Sequence, residues 1–268
     1  MTRHERALIY EDTKHMVGTH PVLKNAVSSS TARQEVISEA DNIQIPPPRY
    51  ATPVQLKVSQ KRSFQAVAGY PGQKICVHNF ASSCTPGGGV VHGSLAQEEC
   101  LCRASTLHFC LLDDRVWIIF YLSHRQASNS FNNADCVYTP DIIVFKDDKD
   151  YHTLPEGQWF QVDVITCAAH NLHSRHIASD KLEDILLQRL RRIMAVTAIN
   201  GAEVLITGAW GCGVFENTPA VVAKVMLQVA EEFKHHFKAI EFAVYSRHAD
   251  DENYRAFRDA VEQHCPHY

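Results

Sequence analysis

Long apolar runs are missing from this sequence of 268 residues. No stretch approaches the roughly 18 apolar residues that a membrane-spanning helix needs, so we expect no membrane segment. Residues 1–16 are charged and lack the apolar segment of a signal peptide. These absences predict a cytoplasmic protein, with a nuclear location left open for a eukaryotic source.

Cysteine pairs of the type CxxC are also missing, although the chain has nine cysteines. Most of them stand in apolar runs, where a reduced thiol behaves as a small core residue. This pattern favours a reducing compartment over a disulfide framework. Cys100 and Cys102 could ligate a metal, but their spacing matches no common zinc pattern, and no HExxH motif occurs. We therefore expect neither a metal nor another cofactor.

An excess of basic charge is absent as well, since the formal net charge is −4. Proteins that bind duplex nucleic acid show a basic footprint, so we expect no direct nucleic-acid patch. A nucleotide-like ligand that is held by backbone amides would need no such footprint. The hydrophobic content of 45% is ordinary for a globular protein and allows a core of useful size. We expect the protein to be a monomer.

Strand-like and helix-like segments alternate through the last two thirds of the chain. Short apolar runs predict buried strands at residues 74–80, 159–169, 202–209 and 239–246. Apolar periodicity predicts helices at residues 181–199, 219–234 and 250–264. This order favours an α/β domain with a mixed or parallel sheet between helices. In such sheets ligands bind at the carboxyl ends of the strands.

Residues 1–70 have a different pattern and predict an N-terminal helical extension, packed on a catalytic domain of residues 71–268. Helical spacing predicts a first helix at residues 3–16 and a second at 32–41. The segment "ATPVQLKVSQ" that begins at residue 51 predicts a strand or an extended edge segment.

A triple glycine, Gly87–Gly89, follows the first predicted strand of the catalytic domain, and "QEE" follows seven residues later. Glycines weaken a helix or strand, and adjacent carboxylates repel each other and cost desolvation when buried. A fold accepts both costs most readily where backbone must touch a ligand and a carboxylate must do chemistry. We expect Glu98 and Glu99 in the first turn of a helix, where the alternative explanation is stabilisation of the helix end by charge.

Adjacent residues on a helix do not share a face, so Glu98 and Glu99 cannot flank one bond as the two carboxylates of an ordinary glycosidase do. For a glycosidic site we expect one glutamate to be the general acid/base and the other to position a sugar hydroxyl. A bound diphosphate near the acid would raise its pKa, because like charge disfavours ionisation.

A second glycine-rich loop, "TGAWGCGVFENTP" at residues 207–219, stands between a predicted strand and a predicted helix. Thr218 is a suitable N-cap, and a proline follows it. Amides in a turn beside a helix N-terminus form an anion site, so the loop predicts diphosphate binding, with a plain tight turn as the alternative. It is neither a Walker motif nor GxGxxG. Phe215 is either a core residue or a platform for a sugar or base.

The spacing of GGG and QEE resembles the signature of the poly(ADP-ribose) glycohydrolase family. Four blocks resemble, in the same order, those of its bacterial-type branch: "VHNFASSCTPGGG", "YTPDIIVFKDD", "VDVITCAAHN" and "GAWGCGVFEN". The resemblance covers residues 74–246 and extends more weakly into the N-terminal helical segment. It implies a macrodomain, a three-layer α/β/α sandwich that binds ADP-ribose. It also implies exo-acting hydrolysis of ribose–ribose O-glycosidic bonds in an ADP-ribose polymer, without a metal.

The resemblance also implies roles for individual residues. Glu99 would protonate the leaving ribose oxygen and then activate water, while Glu98 would hold ribose hydroxyls. Phe215 would orient the ribose. Ser82 stands where many members have Asn, which puts fine substrate positioning in doubt. The full set of implied substrate-binding residues is Asn79, Gly87, Gly88, Gly89, Gln97, Gly208, Gly211, Cys212, Gly213, Val214 and Phe215.

Two other functions remain open on the sequence. One is a hydrolase of the same fold that acts on mono-ADP-ribosylated protein or nucleic acid. The other is a binding module that recognises ADP-ribose without cleaving it. The intact motif Gln97-Glu98-Glu99 argues against the binding module.

Overall fold

The fold is built on a mixed β-sheet that runs through a computed structural model of the chain, which describes residues 1–126, 133–172 and 179–264. Within those ranges the strands are β1 (Glu35–Ile37), β2 (Gln55–Ser59), β3 (Ile75–Phe80), β4 (Cys136–Val144), β5 (Phe160–Cys167), β6 (Val204–Thr207) and β7 (Ala239–Ala243). They form one seven-stranded sheet in the order β1-β4-β5-β3-β6-β7-β2.

The helices lie before, between or after these strands along the chain. They are α1 (Arg3–Thr19), α2 (Pro21–Arg33), α3 (Ser63–Val67), α4 (Gln97–Ala104), α5 (Leu107–Leu111), α6 (Asp114–Val116), α7 (Ser123–Gln126), α8 (Ser179–Ile199), α9 (Pro219–Glu232) and α10 (Glu252–His264). Shorter turns complete the set, with 3-10 turns at Val90–His92 and Glu156–Gln158 and a π-helical turn at Trp117–Leu122.

One compact unit consists of Met1–Glu39, Asn79–Ser128 and Asp135–Ala168. Its strands are antiparallel: β1 pairs with β4, and β4 pairs with β5. An apolar cluster joins the two N-terminal helices to β4 and the residue that follows it, and it contains Val17, Leu23, Ile143 and Phe145. Burial of these side chains fixes α1 and α2 against the rest of this unit.

The second compact unit consists of Ala40–His78, Asn129–Ala134 and Ala169–Tyr268. Its strands are parallel: β3 pairs with β6, β6 with β7, and β7 with β2. Strands β6 and β7 are buried along their whole length, as expected for parallel strands covered on both faces. Their sequences therefore read as continuous apolar runs rather than as alternating patterns.

Most predicted elements are confirmed, including the four apolar strands, the three C-terminal helices and the helix at residues 3–16. The predicted helix at residues 32–41 is wrong. Helix α2 ends at Arg33, the next residue is extended, and Glu35–Ile37 forms β1. Val36 pairs opposite Val137 of β4, so pairing with a long buried strand decides the conformation of this segment.

Candidate functional site

The first turn of α4 brings two glutamates into the interior. The helix begins at Gln97 after an extended Ala96 that provides no side-chain cap. Glu98 and Glu99 follow, and their residues are only 3% and 7% exposed. A carboxylate that merely complements the helix dipole gains most of that benefit at the surface and pays no desolvation. Stabilisation of the helix end therefore does not account for this burial.

Glu98 is held on both carboxyl oxygens. Asn79 donates from Nδ2 to Oε1 at 3.3 Å, and the backbone N–H of Ser82 donates to Oε2 at 2.7 Å. Burial, with a smaller contribution from the charge of Glu99, raises the pKa of Glu98 to about 8 against the opposing effect of its hydrogen bonds. Glu98 is therefore mostly protonated at neutral pH.

Glu99 is held on one oxygen only. The backbone N–H of Gly89 donates to Oε1 at 2.9 Å. The other oxygen, Oε2, is buried and has no hydrogen-bond partner within the described ranges. Buried polar atoms in native proteins almost always have a partner, so a free carboxyl oxygen calls for an explanation such as an absent ligand.

Other buried polar atoms of the same unit also lack a partner in the described part of the chain, among them Oδ1 of Asn79 and the hydroxyl of Tyr121. The Asn79 amide already donates to Glu98 and, at 3.2 Å, to Thr166. Tyr121 lies on the π-helical turn, and burial together with the charge of Glu98 raises its pKa well above the usual value. The sequence analysis missed Tyr121, since its apolar run carries no functional signal.

The triple glycine brings its backbone against these carboxyls. Gly87 and Gly88 have left-handed backbones, with φ of 66° and 57°, which favour glycine. A Cβ on Gly88 would lie 2.5 Å from Oε1 of Glu99 and 3.1 Å from Oε2 of Glu98. A Cβ on Gly87 would overlap the ring of His108. The structure thus brings the predicted glycines and glutamates together.

Gln97 and Ser82 have local contacts that the sequence did not predict. Gln97 accepts the backbone N–H of Phe80 on its Oε1 at 2.9 Å, which ties the start of α4 to the end of β3. The Ser82 hydroxyl accepts from the backbone N–H of Cys84 at 3.3 Å and of Thr85 at 3.1 Å. Ser82 therefore stabilises the turn with its side chain and reaches Glu98 through its backbone.

The second glycine-rich loop lies in the other unit, between β6 and α9. A Cβ on Gly208 would lie 2.6 Å from the carbonyl oxygen of Ala243, so this glycine permits close packing on β7. Gly211 has φ of 77°, and a Cβ there would lie 2.6 Å from Nδ2 of Asn217. Gly213 has open space around it. The glycines therefore shape the backbone, and only the last faces outward freely.

Asn217 fixes this loop, and the sequence analysis did not single it out. Its Nδ2 donates to the carbonyl oxygens of His170 at 2.8 Å and Gly211 at 3.0 Å. Phe215 is half-buried, so it is not a core residue in the full sense, and Val214 beside it is 73% exposed. Thr218 is the N-cap of α9, as predicted, although its side chain makes no capping hydrogen bond.

An exposed aromatic residue near the end of β7 was also missed. Tyr245 is 47% exposed, and the guanidinium carbon of Arg62 lies 4.1 Å from its ring centre. Hydrogen bonding to Arg247, with a smaller effect from Arg62, lowers the pKa of Tyr245. A tyrosine just beyond the carboxyl end of a parallel strand is a sequence signal that could have revealed it.

Comparison with known families settles the class of protein. Residues 6–147 match the model of the microbial-type PARG catalytic domain, where PARG stands for poly(ADP-ribose) glycohydrolase. The chain belongs to this family. It is accordingly a poly(ADP-ribose) glycohydrolase and a glycoside hydrolase, and the resemblance seen in the sequence is confirmed.

Solved PARG structures share the fold of this microbial-type PARG. PARG from Thermomonospora curvata aligns with a TM-score of 0.86 and 25% identity, over 96% of this chain and 99% of that one. PARG from Deinococcus radiodurans in complex with ADP-ribose aligns with a TM-score of 0.79 and 29% identity, over 90% and 98%. These matches confirm the α/β fold class. A search of curated proteins found no match.

None of the helices that the structure describes is long and apolar enough to span a bilayer. Among the described side chains, no group of three or more histidines, cysteines, aspartates or glutamates is arranged to hold a metal ion.

Proposed function

We propose that Glu99 is the general acid/base of the glycohydrolase reaction. The observation that carries this proposal is the asymmetry of its carboxyl group, with Oε1 held by the Gly89 N–H and Oε2 buried without a partner in the described structure. Oε2 would donate a proton to the leaving ribose oxygen as the glycosidic C–O bond breaks. It would then accept a proton from the water whose oxygen bonds to the anomeric carbon.

Glu98 is proposed to hold ribose hydroxyls rather than to transfer the proton. Asn79 and Ser82 occupy one lone pair on each of its oxygens, and its raised pKa keeps it neutral at neutral pH. A neutral Glu98 places no negative charge beside an anionic substrate. The adjacent glutamates therefore differ in their hydrogen-bond partners, which supports different roles.

The two glycine-rich loops are proposed to contact different parts of an ADP-ribose unit. Gly87–Gly89, together with Asn79 and Gln97, would meet the ribose at the cleaved bond. The diphosphate would meet the backbone amides of the loop whose proposed binding residues are Gly208, Gly211, Cys212, Gly213, Val214 and Phe215. Burial raises the pKa of Cys212 to about 12, so its thiol puts no negative charge beside a diphosphate. The ADP-ribose complex of the Deinococcus relative supports a ligand of this class.

The resemblance to the bacterial-type family supports two finer proposals. The enzyme is proposed to act as a monomer on ADP-ribose polymer and to cleave from the chain end, releasing ADP-ribose. Residues 71–268 are proposed to form the macrodomain-like catalytic domain, extended by residues 1–70. Chromatography of the products tests the first point, because internal cleavage would release oligomers early in the reaction.

The assignment of Glu99 is tested with purified Glu99→Gln and Glu98→Gln variants on ADP-ribose polymer. Glu99→Gln should lower turnover at least ~100-fold, in line with the usual contribution of a general acid, and keep its affinity for ADP-ribose within about threefold. Glu98→Gln should weaken ADP-ribose binding in addition to lowering turnover. Glu11→Gln makes the same change on the exposed side of α1 and serves as the control. Turnover near the wild-type rate in Glu99→Gln would contradict the assignment of Glu99 as the general acid/base.

The same assay covers the mono-ADP-ribosylated substrates. Release of ADP-ribose from mono-modified protein, with none from polymer, would contradict the proposed cleavage of ribose–ribose bonds. Binding of ADP-ribose without release from either substrate would contradict catalysis by Glu99.

A further inference from the structure

Helix α1 is hydrogen-bonded to the carboxyl end of the glycine segment, residues 86–94, which carries the triple glycine. Arg3 donates from Nε to the carbonyl oxygen of His92 at 2.8 Å, and Arg6 donates from Nε to that of Gly93 at 2.7 Å. Gly93 has φ of 72°, and a Cβ there would overlap the carbonyl oxygen of Arg3. The segment and the first turns of α1 therefore touch through their backbones.

A second connection reaches the other end of the segment, at Pro86. The Tyr10 hydroxyl lies 2.7 Å from Nδ1 of His108, and Nε2 of His108 lies 3.2 Å from the carbonyl oxygen of Pro86. A carbonyl oxygen only accepts, so Nε2 carries the proton and donates it. Burial lowers the pKa of His108 to about 4, so the ring is neutral and Nδ1 accepts from Tyr10. The two hydrogen bonds therefore run in one direction: Tyr10 donates to His108, and His108 donates to the carbonyl oxygen of Pro86.

Arg103 of α4 adds a third connection. Its guanidinium donates to the carbonyl oxygen of Ser94 at 2.7 Å and to that of Arg6 at 3.1 Å. The Thr13 hydroxyl of α1 donates to the carbonyl oxygen of Arg103 at 2.7 Å. Arg103 is fully buried, and the helix that carries it also carries Glu99. Helix α1, helix α4 and the glycine segment are thus joined to one another.

These contacts share one property: in the glycine segment they end on main-chain carbonyls that flank Gly87–Gly89. The three glycines have no side chains with which to fix their own conformation, and glycine loses more conformational freedom on ordering than any other residue. The Gly89 N–H must nevertheless point at Oε1 of Glu99. Main-chain hydrogen bonds from Gly88 to Thr85 and from Val90 to Gly87 give the segment a turn conformation, and the contacts at its two ends hold this turn in place.

We propose that α1 is a positioning element of the catalytic site. Tyr10 and His108, acting through Pro86, and Arg3 and Arg6, acting through His92 and Gly93, hold the glycine segment in the conformation that orients Glu99. This inference rests on the proposed roles of Glu99 and the triple glycine. It gives the first helix of residues 1–70 a part in the reaction without placing any of its residues against the substrate.

The test compares Tyr10→Phe, His108→Leu and His108→Gln for kcat, KM and thermal stability on ADP-ribose polymer. Tyr254→Phe, which removes a hydroxyl from α10, is the matched control. His108→Leu should lower kcat about 10- to 100-fold, because small displacements of a catalytic group cost that much, while KM stays within about threefold. Gln at residue 108 can donate its amide N–H to Pro86, so His108→Gln should recover most of the lost kcat.

Two outcomes would overturn the proposal. In one, Tyr10→Phe and His108→Leu are folded and have wild-type kcat. In the other, His108→Gln folds but loses as much kcat as His108→Leu, which would make residue 108 a packing residue only. Should His108→Leu fail to fold, Tyr10→Phe decides, with a reduced kcat at unchanged melting temperature as the supporting result. Glu99→Gln in the same assay separates the two proposals: lost turnover in Glu99→Gln together with wild-type kcat in Tyr10→Phe and His108→Leu contradicts the positioning role alone, whereas normal turnover in Glu99→Gln contradicts both.

Discussion

Gly88 lies directly against Glu99, and the space between them has no room for a side chain. A Cβ on Gly88 would lie 2.5 Å from Oε1 of Glu99, which is closer than real Cβ atoms approach an oxygen. The carboxylate cannot retreat freely, because the Gly89 N–H holds the same oxygen at 2.9 Å. The glycine and the acid therefore depend on each other, and a change in one alters the geometry of the other.

Replacing Gly88 with alanine should lower turnover by at least ~10-fold, because the new methyl group displaces the Glu99 carboxyl. The left-handed backbone at residue 88 adds a stability cost of about 1 kcal/mol or more. Rates on polymer and melting temperatures measure both effects. Gly157→Ala, where a Cβ meets nothing within 4 Å, is the control. An active Gly88→Ala enzyme would show that the glycine does not shape the site.

Binding of ADP-ribose should weaken as the pH rises through about 8. Glu98 loses its proton in that range and adds a negative charge beside Glu99 and an anionic ligand. We expect the dissociation constant to rise roughly three- to tenfold between pH 7 and pH 9.5. Calorimetry on wild type and Glu98→Gln measures the effect, since glutamine stays neutral throughout. An equal pH dependence in both proteins would assign it to another group.

Phe215→Ala should weaken ADP-ribose binding about three- to tenfold, because aromatic stacking contributes on the order of 1 kcal/mol. The ring is only half-buried, so the loss of stability should be smaller than for a core phenylalanine. Ile199→Ala, at an exposed position in the same unit, controls for truncation of an apolar side chain. Unchanged affinity and turnover with a large drop in melting temperature would identify Phe215 as a packing residue.

Tyr245 is predicted to be a platform for an aromatic part of the ligand, such as the adenine. Tyr245→Ala should weaken ADP-ribose binding by about 1 kcal/mol or more, whereas Tyr245→Phe keeps the ring and should bind within about twofold of wild type. Titration of both variants with ADP-ribose gives the comparison. If the alanine variant binds normally, the exposed ring and its contact with Arg62 belong only to the protein surface.

The buried neutral His108 predicts a loss of stability in acid. Its pKa falls from 6.5 to about 4 on folding, so its contribution is complete above pH 6.5 and is lost as the pH falls towards 4. Between pH 8 and pH 5 this amounts to about 2 kcal/mol. Urea unfolding at both pH values should show that His108→Gln loses less stability in acid than wild type does. The same loss in both proteins would mean that the ring is not kept neutral by burial.

The sequence predicts the parallel half of the sheet well because its strands carry their signal locally. Ala239–Ala243 is buried along its whole length and reads as an apolar run. The short strand Glu35–Ile37 has no such signal, and only its pairing with β4 makes it a strand. Its conformation depends on residues about 100 positions away along the chain, which local periodicity does not contain.

The candidate site shows the same division. The sequence singled out the triple glycine and the glutamate pair, which the structure brings together, and the start of α4 at Gln97 follows from its helical pattern. The different hydrogen bonding of the two glutamates and the raised pKa of Glu98 did not follow from the sequence, because they depend on burial and on donors from Asn79 and Ser82. The contact of Tyr10 with His108 joins positions that are 98 residues apart, so no local pattern reveals it.

Both glutamates are held by main-chain N–H groups, those of Ser82 and Gly89. An amide of this kind is present whatever side chain stands at that position, proline excepted. A substitution at residue 82 by any amino acid other than proline can therefore leave the contact with Glu98 in place. The two donors depend on the backbone conformation and not on side chains. A mutational scan would therefore detect them only through proline or through residues that change the backbone conformation.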